Sequence, residues 1–178
     1  MSAPNYTSVI ATVVGPDRPG LVELISKAVS GHGGNWEESR FAHLAGQFAG
    51  MLRIEIPEAN LADLEASLNA LAESGLTVSV TRGGDDGESG SGNWTTLNLS
   101  LVGQDRPGIV SEVSHALAER GINVEELSTE VESAPMSGEL LFRADAELSC
   151  PSDLALDELR SALEAIGPEL MVELSASD

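Results

Sequence analysis

The residues best placed to do chemistry in this chain belong to a short turn that it carries twice. Gly-Pro-Asp-Arg-Pro-Gly-Leu-Val at 15–22 returns as Gly-Gln-Asp-Arg-Pro-Gly-Ile-Val at 103–110. In both copies a β-rich run enters the turn and a helical pattern leaves it. Proline suits the first position of a helix, because its missing N–H would be unpaired there in any case. The glycine after it removes bulk beside the helix start. The main-chain N–H groups of Gly20, Leu21 and Val22 then have no intrahelical acceptor, and the helix dipole adds partial positive charge. That combination can hold a carboxylate, such as that of an amino acid, without a cationic side chain. The same residues would also serve a plain strand-to-helix turn with Asp17 or Arg18 as its cap, and Asp17 and Asp105 fit a turn or cap role better than a ligand contact. Asn35 and Asn123 begin the next strand, where an amide could bridge loop and ligand or satisfy the loop backbone.

Other catalytic chemistry finds little footing. The three histidines, His32, His43 and His115, include no i, i+4 pair of the zinc-helix kind. No G-x-S-x-G elbow is present. The pairs Glu37-Glu38 and Glu125-Glu126 occur in a chain so rich in acid that adjacent carboxylates carry little weight, and on an alternating strand one of each pair faces solvent. Asp85-Asp86-Gly87-Glu88 lacks the spacing of a calcium loop. Cys150 is the single cysteine, with no partner for a disulfide or a zinc site. The expectation is a non-enzyme with no metal and no cofactor.

Charge narrows the partners. Among 178 residues, 29 are acidic and 9 basic, a net charge of −20. Nucleic-acid affinity is built from clustered Lys and Arg, and no such cluster exists, so direct nucleic-acid binding and docking to an anionic membrane are not expected. An RNA-binding sheet would need stacking aromatics and a basic rim, whereas aromatics are 3% of the chain. The N-terminus lacks the basic-then-apolar pattern of a signal peptide, and no window approaches the roughly 20 apolar residues of a membrane helix. A cytoplasmic protein is the expectation.

The elements that must position the turns follow from the duplication. Shifted by 88 residues, 15–38 and 103–126 match at 12 of 24 positions without a gap. Thr7–Val14 is a β-rich opening strand. Leu21, Val22, Ile25, Ala28 and Val29 then form a helical stripe, repeated by Ile109, Val110, Val113, Ala116 and Leu117. Gly33 and Gly121 fit left-handed helix stops. Asn35–Leu44 with Gln47–Ile56, and Asn123–Glu132 with Glu139–Leu148, look like hairpins. Their second strands turn Phe48, Gly50, Leu52, Ile54 and Ile56, or Leu140, Phe142, Ala144, Ala146 and Leu148, inward. Second helices carry Leu61, Leu64, Leu68 and Leu71, with Asn60 as N-cap, and Leu156, Leu159, Leu163 and Ile166, with Ser152 or Asp153 near the cap. Leu76–Thr81 and Leu170–Leu174 close the units. The fold class is α+β: two ferredoxin-like βαββαβ domains, antiparallel sheets with helices on one face. Their expected extents are 1–82 and 94–178, joined by a Gly-rich acidic linker at 83–93. A linker this short keeps the domains at high effective concentration.

Gly-x-Asp-Arg-Pro-Gly-[Leu/Ile]-Val followed by Gly-x-Asn-x-Glu-Glu resembles the ACT domain. Two copies alone, with Glu38-Ser39-Arg40-Phe41-Ala42-His43-Leu44 and Gln47-Phe48 in the first, are similar to the glycine cleavage system transcriptional repressor family. That resemblance implies amino acid binding at domain interfaces beside the turn. By position it assigns Asp17, Arg18, Pro19, Gly20, Leu21 and Asn35, and Asp105, Arg106, Pro107, Gly108, Ile109 and Asn123. Copy two departs from the pattern at Leu127-Ser128-Thr129 and inserts Ser133–Gly138, which sets equivalence of the two sites in question. The function expected is a non-catalytic regulator, a homodimer, that binds a small amino acid (glycine by resemblance) and acts on a protein partner. That partner is a transcription factor or, in the alternative of a regulatory or assembly subunit, an enzyme of amino-acid metabolism.

Overall fold

Along Tyr6–Pro16 the buried positions alternate from Val9 through Ala11 and Val13 to Gly15, so this run forms a strand with one face in the core (β1). The computed structural model describes residues 5–84 and 93–176. It divides into two compact units, Met1–Gly87 and Glu88–Asp178. Residues 85–92, most of the expected linker, lie outside the described residues.

Unit 1 continues with α1 (Leu21–Gly31), β2 (Asn35–Leu44), β3 (Gln47–Pro57), α2 (Leu61–Asn69) and β4 (Thr77–Arg82). Unit 2 repeats the order as β5 (Trp94–Gln104), α3 (Ile109–Ala118), β6 (Asn123–Ser133), β7 (Leu140–Pro151), α4 (Leu156–Glu164) and β8 (Met171–Ala176). Each sheet is antiparallel and four-stranded, ordered β2-β3-β1-β4 and β6-β7-β5-β8. The opening strand of each unit is central, which fixes the turn that follows it above the middle of the sheet.

One core fills each unit between sheet and helices. In unit 1 the α1 stripe Leu21, Ile25, Ala28 and Val29 meets Leu52, Ile54 and Ile56 of β3 and Leu61, Leu64 and Leu68 of α2. In unit 2, Ile109, Val113, Ala116 and Leu117 meet Phe142, Ala144, Leu148, Leu159 and Leu163. Burying a side chain of this size contributes roughly 1.5–3 kcal/mol, so these residues dominate each unit's stability.

The helix stops form as the glycines predict. Gly33 and Gly121 have φ of +72° and +66°, and the next N–H, of Gly34 or Ile122, donates back to Val29 or Leu117. Three details differ from expectation. Asn60 occupies the N-cap of α2, but its amide donates to the His32 carbonyl at 2.9 Å and makes no cap hydrogen bond. Ala155 occupies the N-cap of α4, with Leu156 and Leu140 both exposed. A bulge between Trp36 and Glu38 lets Arg53 reach both Glu37 (3.2 Å) and Glu38 (3.8 Å), so the two carboxylates do not alternate across the sheet.

Candidate functional site

Two residues set the shape of the turn. Gly20 has φ 92° and ψ 0°, and Gly108 has φ 88° and ψ −4°. Proline followed by a glycine of that conformation makes a type II turn, closed in unit 2 by the Ile109 N–H donating to the Arg106 carbonyl at 3.4 Å. Pro19 and Pro107 therefore stand outside the helix, not at its first position. The helices begin at Leu21 and Ile109, with Gly20 and Gly108 as N-caps. The first helical bonds run from Leu24 to Gly20 and from Glu112 to Gly108, both 3.0 Å. The N–H groups left without a partner in helix or turn are accordingly those of Leu21, Val22 and Glu23 in unit 1, and of Val110 and Ser111 in unit 2. Neither helix has a side-chain cap, so Asp17 and Arg18 do not serve as one.

The Asp17 N–H donates to the Gly46 carbonyl at 3.0 Å and that of Asp105 to Leu140 at 2.9 Å, tying each turn to its hairpin. The Asp17 carboxylate lies 3.7 Å from Nε2 of His43. The two arginines reach the loop before the last strand of their unit: Arg18 donates to the Ser74 carbonyl at 2.9 Å and Arg106 to Ile166 at 3.1 Å. They differ in charge balance. Arg106 also makes two 2.7 Å hydrogen bonds to the Glu112 carboxylate. This pairing holds the Glu112 carboxyl below its usual range and raises the guanidinium. Unit 1 has Leu24 in place of Glu112, and Arg18 has no carboxylate partner among the described residues.

Two glycines that the site assignment passed over build its wall. A Cβ on Gly15 would lie 2.5 Å from the Gly75 carbonyl oxygen and 2.9 Å from Leu76 Cδ2, and one on Gly103 would lie 2.7 Å from Leu170 Cδ1. Each allows the loop before the last strand to close against the end of the first. Their presence at the head of both motifs was the available signal. In unit 2 that loop, with Gly103, Gln104, Arg106 and Ile109, lines a cavity of about 330 Å3. Beside Gly20 a Cβ would meet nothing within 4 Å, and beside Gly108 only Glu112 Oε1 at 3.9 Å, so the space over each turn is open.

Asn35 and Asn123 are not brought to this place within their own units. Asn35 pairs with Glu55 and through it with Ser8, seven residues along β1 from Gly15, about 23 Å of strand. Asn123 stands likewise at the far end of its sheet, where its amide donates to Glu125 at 2.6 Å. Among the described residues no cluster of His, Cys, Asp and Glu could hold a metal ion, and no helix is long and apolar enough to cross a membrane.

Comparison with known proteins agrees with this architecture. The ACT domain family matches residues 7–81 and again residues 97–147. A UPF0237 protein of Methanopyrus kandleri is 34% identical over 80 residues, 45% of this chain and 83% of that protein. A crystal structure of an unknown protein from Galdieria sulphuraria is similar over 98% of this chain and 100% of its own, with a TM-score of 0.85 and 29% identity. A crystal structure described as a "putative glycine cleavage system transcriptional repressor" shares the fold over 97% of this chain and 99% of its own, with a TM-score of 0.67 and 20% identity. Two βαββαβ units, each opening on the same Asp-Arg-Pro-Gly turn and each matched by the same family, make this chain a member of the ACT-domain family carrying the domain in tandem.

Proposed function

We propose that this chain is a non-catalytic regulator that binds a small amino acid beside its Asp-Arg-Pro-Gly turns and passes the signal to a protein partner. The observation that carries the reading is the twice-built turn. A left-handed glycine opens space over unpaired helix N–H groups, and in unit 2 the adjoining cavity of about 330 Å3 falls at the small end of the range for small-molecule sites. Asp17 to Leu21 and Asp105 to Ile109 are the binding segments. Asn35 and Asn123 stand beyond the reach of a ligand at their own unit's turn and would join a site only when contributed by another ACT unit.

The two sites differ in how they meet a carboxylate. Arg18 is open to it, whereas Arg106 is already neutralised by Glu112, which leaves the main-chain N–H groups of α3 to do that work. Unit 1 is therefore the tighter site for a simple amino acid. Glycine is the first candidate, from the similarity to the repressor family, with a transcription factor as the partner. Binding would act by favouring one arrangement of the assembly over another.

A thermal-shift screen of the full chain against the twenty amino acids tests this. Ligand at 100 times its dissociation constant adds about 2.7 kcal/mol, a shift of several degrees. The expected result is a selective response that Gly20→Val weakens. A flat profile across all twenty would remove the sensor reading. Recovery of a metabolic enzyme with the purified chain, in place of a transcription factor, would favour a regulatory subunit.

A further inference from the structure

The two sheets end in four edge strands, β2 and β4 in unit 1 and β6 and β8 in unit 2. Three of them carry acid. β2 holds Glu37 and Glu38 and is anchored by the rings of Trp36 and Phe41, which pack against the core of unit 1. β6 holds Glu125, Glu126, Glu130 and Glu132, and no hydrophobic side chain of this strand belongs to the core of unit 2 or packs against it. β8 holds Glu173. Charge on an edge strand discourages other chains from pairing with its free main-chain groups. β4, Thr77-Val78-Ser79-Val80-Thr81-Arg82, has no acid, and Arg82 at its end is bound by Glu58.

The duplication shows what β4 lacks. Thr12 of β1 pairs with Ser79, and Ser100, its equivalent in β5, pairs with Glu173. The two last strands share their helix side, where Val78 and Val80 match Val172 and Leu174 in packing on their cores. They differ at the centre of the open side, where a serine stands in one and a glutamate in the other.

The ground beside β4 is uncharged as well. On the open side of the sheet β4 presents Thr77, Ser79 and Thr81, all exposed, and β1 presents Ser8, Ile10, Thr12 and Val14. Among the described residues, the charges of that side, Glu38, Arg40, Arg53 and Glu55, lie on β2 and β3. The strand is therefore neutral where it meets solvent, and its outer main-chain groups offer a template for another strand.

We infer that β4 is a self-pairing edge, to which a second copy of this chain adds its own β4, antiparallel, across a two-fold axis at Ser79. In that register Ser79 faces Ser79, Val78 faces Val80 and Thr77 faces Thr81, so a threonine pair forms on each side of the axis. The free main-chain groups of both edges then satisfy each other, and two four-stranded sheets become one of eight. On a molecule of net charge −20, self-association is favoured where acid is absent. The same pairing of two β8 strands would set Glu173 against Glu173, a like-charge pair that opposes it. The inference goes beyond the amino acid reading and needs no ligand at the turns.

Sedimentation of the full chain, without any amino acid added, tests it together with a cross-link. The expected result is a dimer that grows with concentration and whose association weakens by about tenfold or more in Ser79→Glu, which copies the glutamate of β8 into β4. Glu173→Ser should dimerise at least as well as the wild type. Ser79 is exposed, so its change leaves the core of unit 1 intact, and matching circular dichroism confirms the fold. In the proposed register the two Ser79 Cα atoms stand about 4.5–5.5 Å apart, within disulfide reach, whereas the two Thr77 residues are separated by about 13 Å of strand. Ser79→Cys should accordingly form an intermolecular disulfide on mild oxidation, and Thr77→Cys should not. The inference is overturned by a wild type that stays monomeric as concentration rises, or by a dimer that Ser79→Glu leaves unchanged. It is equally overturned by a dimer that Glu173→Ser weakens, or by cross-linking no faster in Ser79→Cys than in Thr77→Cys. Because ligand screening and self-association are separate measurements, either can fail without the other.

Discussion

Gly15→Ala and Gly103→Ala place the same methyl group at equivalent positions of the two units, and their outcomes should differ. The Cβ at Gly15 would lie 2.5 Å from the Gly75 carbonyl oxygen, a backbone atom held by the left-handed Gly75 (φ 85°) and by Gly75 N–H donating to Ala72. Only a shift of the loop before β4 relieves that contact. The Cβ at Gly103 would meet Leu170 Cδ1 at 2.7 Å, the far end of a flexible side chain, while the nearest backbone atom is 3.4 Å away. Overpacking against fixed structure costs about 1–3 kcal/mol, so we expect about 2–3 kcal/mol for Gly15→Ala and under about 1 kcal/mol for Gly103→Ala, where a rotamer change suffices. The assay is built into the sequence. Trp36 lies in unit 1 and Trp94 in unit 2, and there are no other tryptophans. Urea unfolding followed by fluorescence in Trp94→Phe and Trp36→Phe backgrounds therefore isolates each unit. With a denaturant slope near 1 kcal/mol per molar for a unit this small, Gly15→Ala should move the unit 1 midpoint by about 2 M. Equal small shifts in both units would refute the claim that loop backbone seats against Gly15.

Four further outcomes follow from the described contacts. Glu112→Gln should leave Arg106 free for a ligand carboxylate, raising amino acid affinity at unit 2 in calorimetric titration, while Arg18→Met lowers it at unit 1. Because the Arg106 guanidinium depresses the Glu112 carboxyl in the folded state, its contribution to stability is present above the usual carboxylate range and disappears as pH falls through the lower folded value. Acid-unfolding curves of the wild type and Glu112→Gln should accordingly diverge at neutral pH and converge at low pH. Cys150 is fully buried, donates from Sγ to the Thr95 carbonyl and has its thiol pKa raised by burial, so thiol reagents should label it only as fast as unit 2 opens. Gly20→Asn should retain more stability than Gly20→Val by about 1 kcal/mol in thermal melts, since asparagine tolerates φ near 90° and a β-branched residue does not.

The sequence carried the architecture because its signals were local and repeated. The stripes at Leu21–Val29 and Ile109–Leu117, the alternation in Gln47–Ile56 and the glycine stops at 33 and 121 need only short-range physics, and each occurs twice. The site was harder to place because its geometry depends on distant segments. Asn35 follows the turn closely in sequence, but α1, eleven residues and about 16 Å long, carries the chain to the other end of the sheet before β2 begins. Gly15 and Gly103 are explained only by a loop some sixty residues further on. The replacement of Leu24 by Glu112 was visible in the repeat, but its grip on Arg106 arises from the turn folding the two together. The bulge after Trp36 left no mark in the apolar pattern, since Glu37 and Glu38 are polar whichever way they point.

The absence of β6 from the core of unit 2 also sets an order of opening. Backbone bonds to β7 hold that strand, without the ring packing that anchors β2 to unit 1. Such a segment can detach while the rest of its unit stays folded. Amides along Asn123–Ser133 should therefore exchange with solvent deuterium well before those of Asn35–Leu44, making the second outer hairpin a low-stability foldon within its unit.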